Sequence, residues 1–309
     1  MGTFLTPTRL LTGIAVLLSA LPTFATTLDH LPPGTKWVMH VNLDSIKNSG
    51  LGKHAQAKIE QTAGGQQLDL LADMLNFDPR KDLKEATIYG PDAKESHAVL
   101  VVNGKVDGER LSTFVTMNET FEKVTHDNVE VLSWVNEEGD RKGMRTYGRV
   151  LNNQYVVLGS HGPSVASALK ALEGGEVLGK DSELLRELKR DAAVMIAASA
   201  ELANMAKVDP NNPLLRQAKS FQMSIREKGE EMAMELGIRM ETPEAAQQLL
   251  HIGQGGLALL QLQAAEVPEL QKVLGSVNHQ MRVDLNQVKM DVTVATQALK
   301  DLMDQAIQP

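Results

Sequence analysis

Phe221-Gln222-Met223-Ser224-Ile225-Arg226 and, after Lys228-Gly229, Met232-Ala233-Met234-Glu235-Leu236-Gly237-Ile238-Arg239-Met240 form the stretch on which the fold reading turns. Apolar residues recur at every second position in both runs. Successive side chains of a strand point to opposite faces, so this period predicts two strands with one buried and one wetter face. The short polar break between them predicts a hairpin. Its stripe of methionines invites a copper-site reading, but no histidine shares the stripe. Thioethers fill core gaps well, and the stripe is read as packing.

Downstream, Thr242-Pro243-Glu244 supplies a capping hydroxyl, a first-turn proline and an acid at the positive helix end. The predicted helix turns Ala246, Leu249 and Leu250 inward and breaks near Gly253 and Gly255–Gly256. Pro268 is expected to open a further helix through Leu270, Val273, Leu274 and Val277. Met281–Leu285 and Met290–Val294 read as strands, and Leu299, Leu302, Met303 and Ile307 place a closing amphipathic helix.

Upstream, Val194–Ala198 reads as a strand, followed by a small-residue helix and the loop Asp209–Pro213. In the amino-terminal half Trp37–Val41 is strand-like. Asp44 is a candidate cap for a helix to about Glu60, bent near Gly50 and Gly52. Leu68, Leu71, Met74 and Leu75 recur at helical spacing up to Asp78–Pro79. Strands are expected at Ala86–Tyr89 and His97–Val102, and a helix from Asp107. The stretch Val129–Gly159 is rich in β signal, with Asn152–Asn153 as a hairpin turn. Gly162-Pro163-Ser164 leads into a helix ended by Gly174–Gly175.

Both halves can thus be written strand, helical region, two strands, helix, further strands, helix. Ala168-Leu169-Lys170 and Ala298-Leu299-Lys300 sit in the two closing helices. The expected fold is α+β, antiparallel sheets with packed helices, in two related units over 26–180 and 181–309. The competing arrangement is one continuous antiparallel sheet with helices on one face.

Residues 1–25 read as a cleavable export signal. Arg9 precedes an apolar run from Leu10 to Phe24, and Thr23 and Ala25 are small where a signal peptidase cutting after Ala25 needs them small. The run is short for a membrane span, so no transmembrane anchor is expected after cleavage. Arg9 is the one charged residue in this segment. The remainder has 30 basic and 39 acidic residues, a formal net charge of −9, against −8 for the whole chain. Acidic balance speaks against nucleic acid as a partner. Zero Cys excludes disulfides, thiolate metal sites and a cysteine nucleophile.

The search for chemistry yields little. The eight histidines are His30, His40, His54, His97, His126, His161, His251 and His279, and none forms an HExxH pair. His40 and His54 with Asp44 would make a carboxylate-bearing metal site only if strand and helix converged. Ser160-His161 and Ser164 lie together at a strand–helix junction but lack the GxSxG elbow, and read as a turn plus helix cap. Glu137–Glu138 with Asp140, and Glu227 with Glu230–Glu231, read as solvated turns. Gly253–Gly256 matches no nucleotide-binding pattern. Asn118-Glu119-Thr120 matches a glycosylation acceptor, a pattern frequent by chance. No catalytic, cofactor-binding or metal residue is assigned, and no cofactor.

The opening Leu31-Pro32-Pro33-Gly34-Thr35-Lys36-Trp37-Val38-Met39-His40-Val41-Asn42-Leu43-Asp44, continued by Ser49-Gly50-Leu51-Gly52, resembles the mature start of uncharacterised exported proteins from planctomycete-like bacteria. Asn76-Phe77-Asp78-Pro79-Arg80-Lys81-Asp82-Leu83 resembles a second element of that group. The resemblance covers the first third of the chain and implies export. It assigns no catalytic residue. The expected function is therefore non-catalytic: an extracytoplasmic binding or structural and assembly protein, periplasmic or extracellular, whose partner is another such protein. The alternative is a secreted hydrolase or small-molecule carrier with a site between the units, for which Ser160–His161 and His40/His54 are the candidates.

Overall fold

A computed structural model describes residues 26–137, 142–186, 188–199, 214–264 and 275–306. Twelve strands form one antiparallel sheet in the order β11-β12-β10-β9-β8-β1-β2-β3-β7-β6-β5-β4. The amino-terminal strands are β1 (Trp37–Asn42), β2 (Leu83–Gly90), β3 (Val99–Gly104), β4 (Glu122–His126), β5 (Val129–Val135), β6 (Arg145–Leu151) and β7 (Tyr155–Gly159). The others are β8 (Val194–Ser199), β9 (Ala218–Lys228), β10 (Glu231–Met240), β11 (Val277–Asp284) and β12 (Gln287–Ala295). The architecture is the expected α+β one, a large antiparallel sheet with packed helices.

The strand order is the same in the two halves. β1, β2 and β3 form a meander, a helix follows, and the last strand of the half, β7, returns to pair with β3. β8, β9 and β10 form a second meander, a helix follows, and β12 returns to pair with β10. The first half inserts an additional hairpin, so β6, β5 and β4 extend beyond β7 where only β11 lies beyond β12. The halves meet through β1 and β8, which pair antiparallel with Val38 opposite Ala197 and His40 opposite Met195.

Among the described residues eight α-helices accompany the sheet: α1 (Leu43–Asn48), α2 (Gly50–Ile59), α3 (Ala63–Leu75), α4 (Pro79–Asp82), α5 (Gly108–Thr116), α6 (Gly162–Leu172), α7 (Pro243–Ala264) and α8 (Thr296–Ala306). The bend expected near Gly50 is a break into α1 and α2. Asn42, rather than Asp44, caps α1, with its Oδ1 accepting from Ser45 N at 2.8 Å, while Ser49 caps α2. The helix from Thr242 does not break at its glycines. α7 runs unbroken to Ala264, anchored by buried Ala245, Ala246 and Leu250, and Gly253 lies against Met281 of β11, where a Cβ would crowd the thioether. Glycine lowers helix propensity by about 1 kcal/mol, too little to stop a helix held by packing. The Ala-Leu-Lys triplets fall at different places: Ala168 is deep in α6, whereas Ala298 lies in the first turn of α8. The helices expected after β8 and from Pro268, and residues 1–25, lie outside the described residues.

Residues directly opposite each other across an antiparallel ladder share a face, so the register divides the sheet's side chains into two sets. One face carries Val38, Tyr89, Val99, Val101, Val131, Val157, Met195 and Ala197, buried with Val165, Ala168 and Leu169 of α6. Leu28 and Leu31 of the amino-terminal segment complete that core at 1% and 0% exposure. The opposite face carries Ile238, Val288, Met281 and Val283, packed beneath Ala245, Ala246 and Leu250 of α7. Helices therefore cover both faces rather than one.

Two tight turns use left-handed backbone differently. Gly229, at φ 64°, closes the long β9–β10 hairpin, while Leu285, at φ 55°, closes β11–β12 with its side chain 83% exposed. Leucine gains nothing from that exposure and has a Cβ that disfavours left-handed backbone. Leu285→Asn is expected to stabilise the protein by about 0.5–1 kcal/mol, since asparagine tolerates this conformation. A raised midpoint in urea denaturation checks it.

Candidate functional site

Three polar features rise above ordinary surface. The first is buried at the junction of the halves. His40 of β1, Thr87 and Glu85 of β2 and Asn103 of β3 lie side by side on the α6 face, because the register sets His40 opposite Thr87 and Glu85 opposite Asn103. A short 3₁₀ turn, Thr27–His30, closes over them. Glu85 Oε1 accepts from Thr27 N at 2.8 Å and from Asn103 Nδ2 at 2.9 Å, and Oε2 lies 3.6 Å from His40 Nε2. His40 Nδ1 is 2.8 Å from Thr87 Oγ1, whose hydroxyl also meets that of Thr27.

His40 is 2% exposed. Burial is the main influence on it and pushes its pKa below the ordinary 6.5, against the opposing pull of the Glu85 carboxylate. Each polar partner here is satisfied within the network, and the turn above it is fixed by Leu28 and Leu31. The arrangement fastens the amino-terminal segment to the sheet and offers no opening to a ligand. The folded-state pKa of His40 is lowered, so the unfolded chain binds more protons as pH falls through 6.5. Stability is therefore expected to fall below about pH 6.5, and His40→Asn to flatten that dependence; urea titrations at pH 7.5 and 5.5 measure it.

The second feature is an open hollow of about 520 Å³ on the same sheet face, in the second half. The register brings Gln222 and Ser224 of β9, Glu235 and Gly237 of β10, and Lys289 and Asp291 of β12 onto that face. In the first half this face is buried under α6; here it is polar, and among the described residues no helix covers it. Arg282 of β11 bounds one side, and Arg186 and Lys189 of the segment before β8 bound the other. The charges are cross-linked. Glu235 meets Arg226 at 2.6 Å and Lys189 at 3.6 Å, Arg282 pairs with Asp291, and Lys289 meets Asp284 at 2.7 Å. Four cations and two carboxylates line the hollow, an excess of positive charge on an acidic chain. Sequence alternation along β9 and β10 separates these polar residues from the apolar stripe, but the expected contrast in burial is not found: Ser220, Ser224 and Ala233 of this face are buried, while Phe221, Met223, Met234 and Leu236 of the apolar face are half-buried.

The third feature gathers three histidines that sequence separation kept apart. His97 ends a 3₁₀ turn between β2 and β3, His126 ends β4, and His161 is the residue before α6. The His97 and His161 rings stand 4.5 Å apart. Asp92 Oδ2 accepts from His97 Nδ1 at 2.8 Å. The His161 partner is Ser164 Oγ at 2.9 Å from Nδ1, a contact within one helical turn, and no carboxylate orients His161. The Ser160–His161 candidate therefore has no triad. Gly162 touches His126, and any Cβ there would overlap the imidazole. Gly162→Ala is expected to cost about 1–3 kcal/mol by overpacking, read from the denaturation midpoint.

The remaining sequence candidates separate. His54 pairs with Asp304 of α8 at 2.8 Å, joined by Lys58 at 3.0 Å, while Asp44 pairs with Lys47 at 2.7 Å. The suggested His40, His54 and Asp44 metal site is not formed, because His40 is consumed by the buried network. Among the described residues no three His, Asp or Glu groups are placed to hold a metal ion. Asn118 accepts from Thr120 N at 2.9 Å and donates to Glu137 Oε1 at 2.9 Å, as a turn-forming residue does. Met240 of the methionine stripe is fully buried under α7.

Comparisons with known proteins add a likeness of outline. No protein-family model matches the chain, and no curated protein does. Among solved structures the chain is similar to TP0453 in crystal form III, with a TM-score of 0.48 and 9% identity over 91% of this chain and 98% of that one. Crystal form IV gives 0.47 and 9% over 92% and 99%, and crystal form I gives 0.45 and 9% over 93% and 99%. At such scores and identities the likeness carries no argument about site or function. Among the described residues no helix is long and apolar enough to cross a membrane.

Proposed function

We propose that the chain is a non-catalytic extracytoplasmic binding or assembly protein, and that its partner is another extracytoplasmic protein docked on the hollow of the second half. One observation carries the reading: a single sheet face is buried by α6 in one half and, among the described residues, is polar, concave and without a covering helix in the other. Its rims differ in origin, with Arg186 and Lys189 on a connecting segment and Arg282 and Lys289 on sheet strands. A surface of fixed, mixed charges favours a macromolecular partner, because complementary charges select partner and register more than they add affinity. The saturation of the His40 network speaks against His40 as the reacting group of the hydrolase alternative.

Export, cleavage after Ala25, kinship with exported proteins of planctomycete-like bacteria and origin by duplication belong to the same reading. The shared strand order of the halves supports the last, with the units proposed over 26–180 and 181–309. A mature mass beginning at Thr26 in material from the producing organism is the expected outcome for cleavage; an intact Met1 on exported protein overturns it.

Binding is tested by placing a photo-crosslinking amino acid at Lys189, on the rim, and at Leu259, on the outer side of α7. A reproducible adduct with one protein is expected from position 189 and not from 259. The yield should fall at least about tenfold when Lys289→Glu and Arg282→Glu are combined, through loss of charge complementarity. A retained small molecule in native mass spectrometry with no protein adduct would overturn the reading in favour of a carrier.

A further inference from the structure

We infer that His97, His126 and His161 form an acid-sensitive clasp that holds the start of α6 and the end of edge strand β4 against the 92–97 turn. The three rings come from three separate elements. His97 and His161 stand ring to ring at 4.5 Å, and His126 packs on Gly162, the first residue of α6. The far side of His126 is covered by Tyr147 of β6, edge-on at 5.7 Å.

The charged and titratable groups facing His161 are Asp92, Lys94 and His97 from the 92–97 turn and His126 from β4. Ser164 alone meets it from α6. Asp92 is the single carboxylate among them, and it already accepts from His97 and from Lys94 N at 2.9 Å. A proton on His161 would stand beside His97 and near Lys94 with no carboxylate of its own.

His126 adds an independent constraint. Its Nε2 is buried and has no hydrogen-bond partner among the described residues. Burial, then the neighbouring His97 and His126, hold the pKa of His161 below 6.5. The closed clasp therefore binds fewer protons than the open one, and acid favours opening. For a protein exported to a compartment that follows the medium, this couples an edge of the sheet to outside pH.

Amide hydrogen exchange on the full mature protein, corrected for the intrinsic pH dependence of exchange, tests the clasp at pH 7.5 and 5.0. Protection of residues 123–126 and of Val165, whose amide donates to His161 O, is expected to fall at the lower pH. The β9–β10 hairpin should change less. The acid sensitivity of His40 is common to wild type and to the His97→Asn/His161→Asn variant, so it cancels in their comparison. In that variant the local drop should disappear. A uniform loss across the sheet, or a local drop that survives in the variant, overturns the proposal. Should the double variant not fold, imidazole resonances of the wild type decide: titration of the three rings must track the local opening, and independent titration with unchanged protection overturns the clasp.

Discussion

The pairing of β1 with β8 is the constraint on which the molecule depends. Each strand is the first of its meander, so joining them turns two half-sheets, each with an exposed inner edge, into one sheet with only β4 and β11 at its margins. An unpaired strand in the middle of a hydrophobic layer would leave a row of backbone donors and acceptors unmet. The joint is reinforced from above. Val38 and Ala197 are paired and buried, and Leu28 and Leu31 pack into the same core. Glu85 then fixes the amino-terminal turn by accepting the Thr27 amide. Replacing Glu85 with an apolar residue would strand that amide and the Asn103 donor, at about 1–3 kcal/mol for each unsatisfied group.

From this joint follows the difference between the halves. In the first, α6 returns over the sheet face carrying Val99, Val101 and Val157, and that face is apolar. In the second, α8 instead packs against α2, through Asp304 with His54 and Lys58. The face it leaves carries Ser224, Glu235, Lys289 and Asp291, residues that suit water or a polar partner. Sequence and topology agree: beneath α6 the strand face is mainly valine and tyrosine, with the polar His40, Thr87, Glu85 and Asn103 cluster sealed by the amino-terminal 3₁₀ turn, whereas in the second half the face is ionic. The hollow is thus a property of the fold's asymmetry, and its ion pairs hold the rims in fixed positions at modest energetic gain, as exposed pairs do.

The legible parts of the sequence were those with strong period. Alternation along 221–240 located the β9–β10 hairpin, and Asn152–Asn153 located a turn whose two residues both have positive φ. Thr242-Pro243-Glu244 marked the start of α7, with Thr242 Oγ1 accepting from Ala245 N. Strand β4 left no such trace, because Glu122, Lys123 and Thr125 are exposed and only Val124 packs inward. An edge strand of this kind is defined by its ladder to β5, not by hydrophobic pattern. The glycines of α7 misled for the opposite reason: local propensity suggested a break, and tertiary packing overrode it. The site was less legible still. His97, His126 and His161 are spread over 65 positions, and only the return of β7 beside β3 brings His161 to His97. The hollow needs four strands in register, information that no single segment holds.

The two groups of buried or clustered imidazoles illustrate how position in the sheet sets what a titratable residue can do. His40 lies at the centre, between covered strands, with a carboxylate and two hydroxyls around it. Protonating it weakens the joint itself, so its effect is global. The other three histidines lie where β3, β7 and the β4 edge approach the start of α6. There the elements released are a helix start and a marginal strand, which can open while the central ladder persists, since local opening free energies are lowest at edges and termini. A group whose charge disrupts the centre can act only as a threshold for unfolding. One whose charge disrupts the margin can change shape within the folded state.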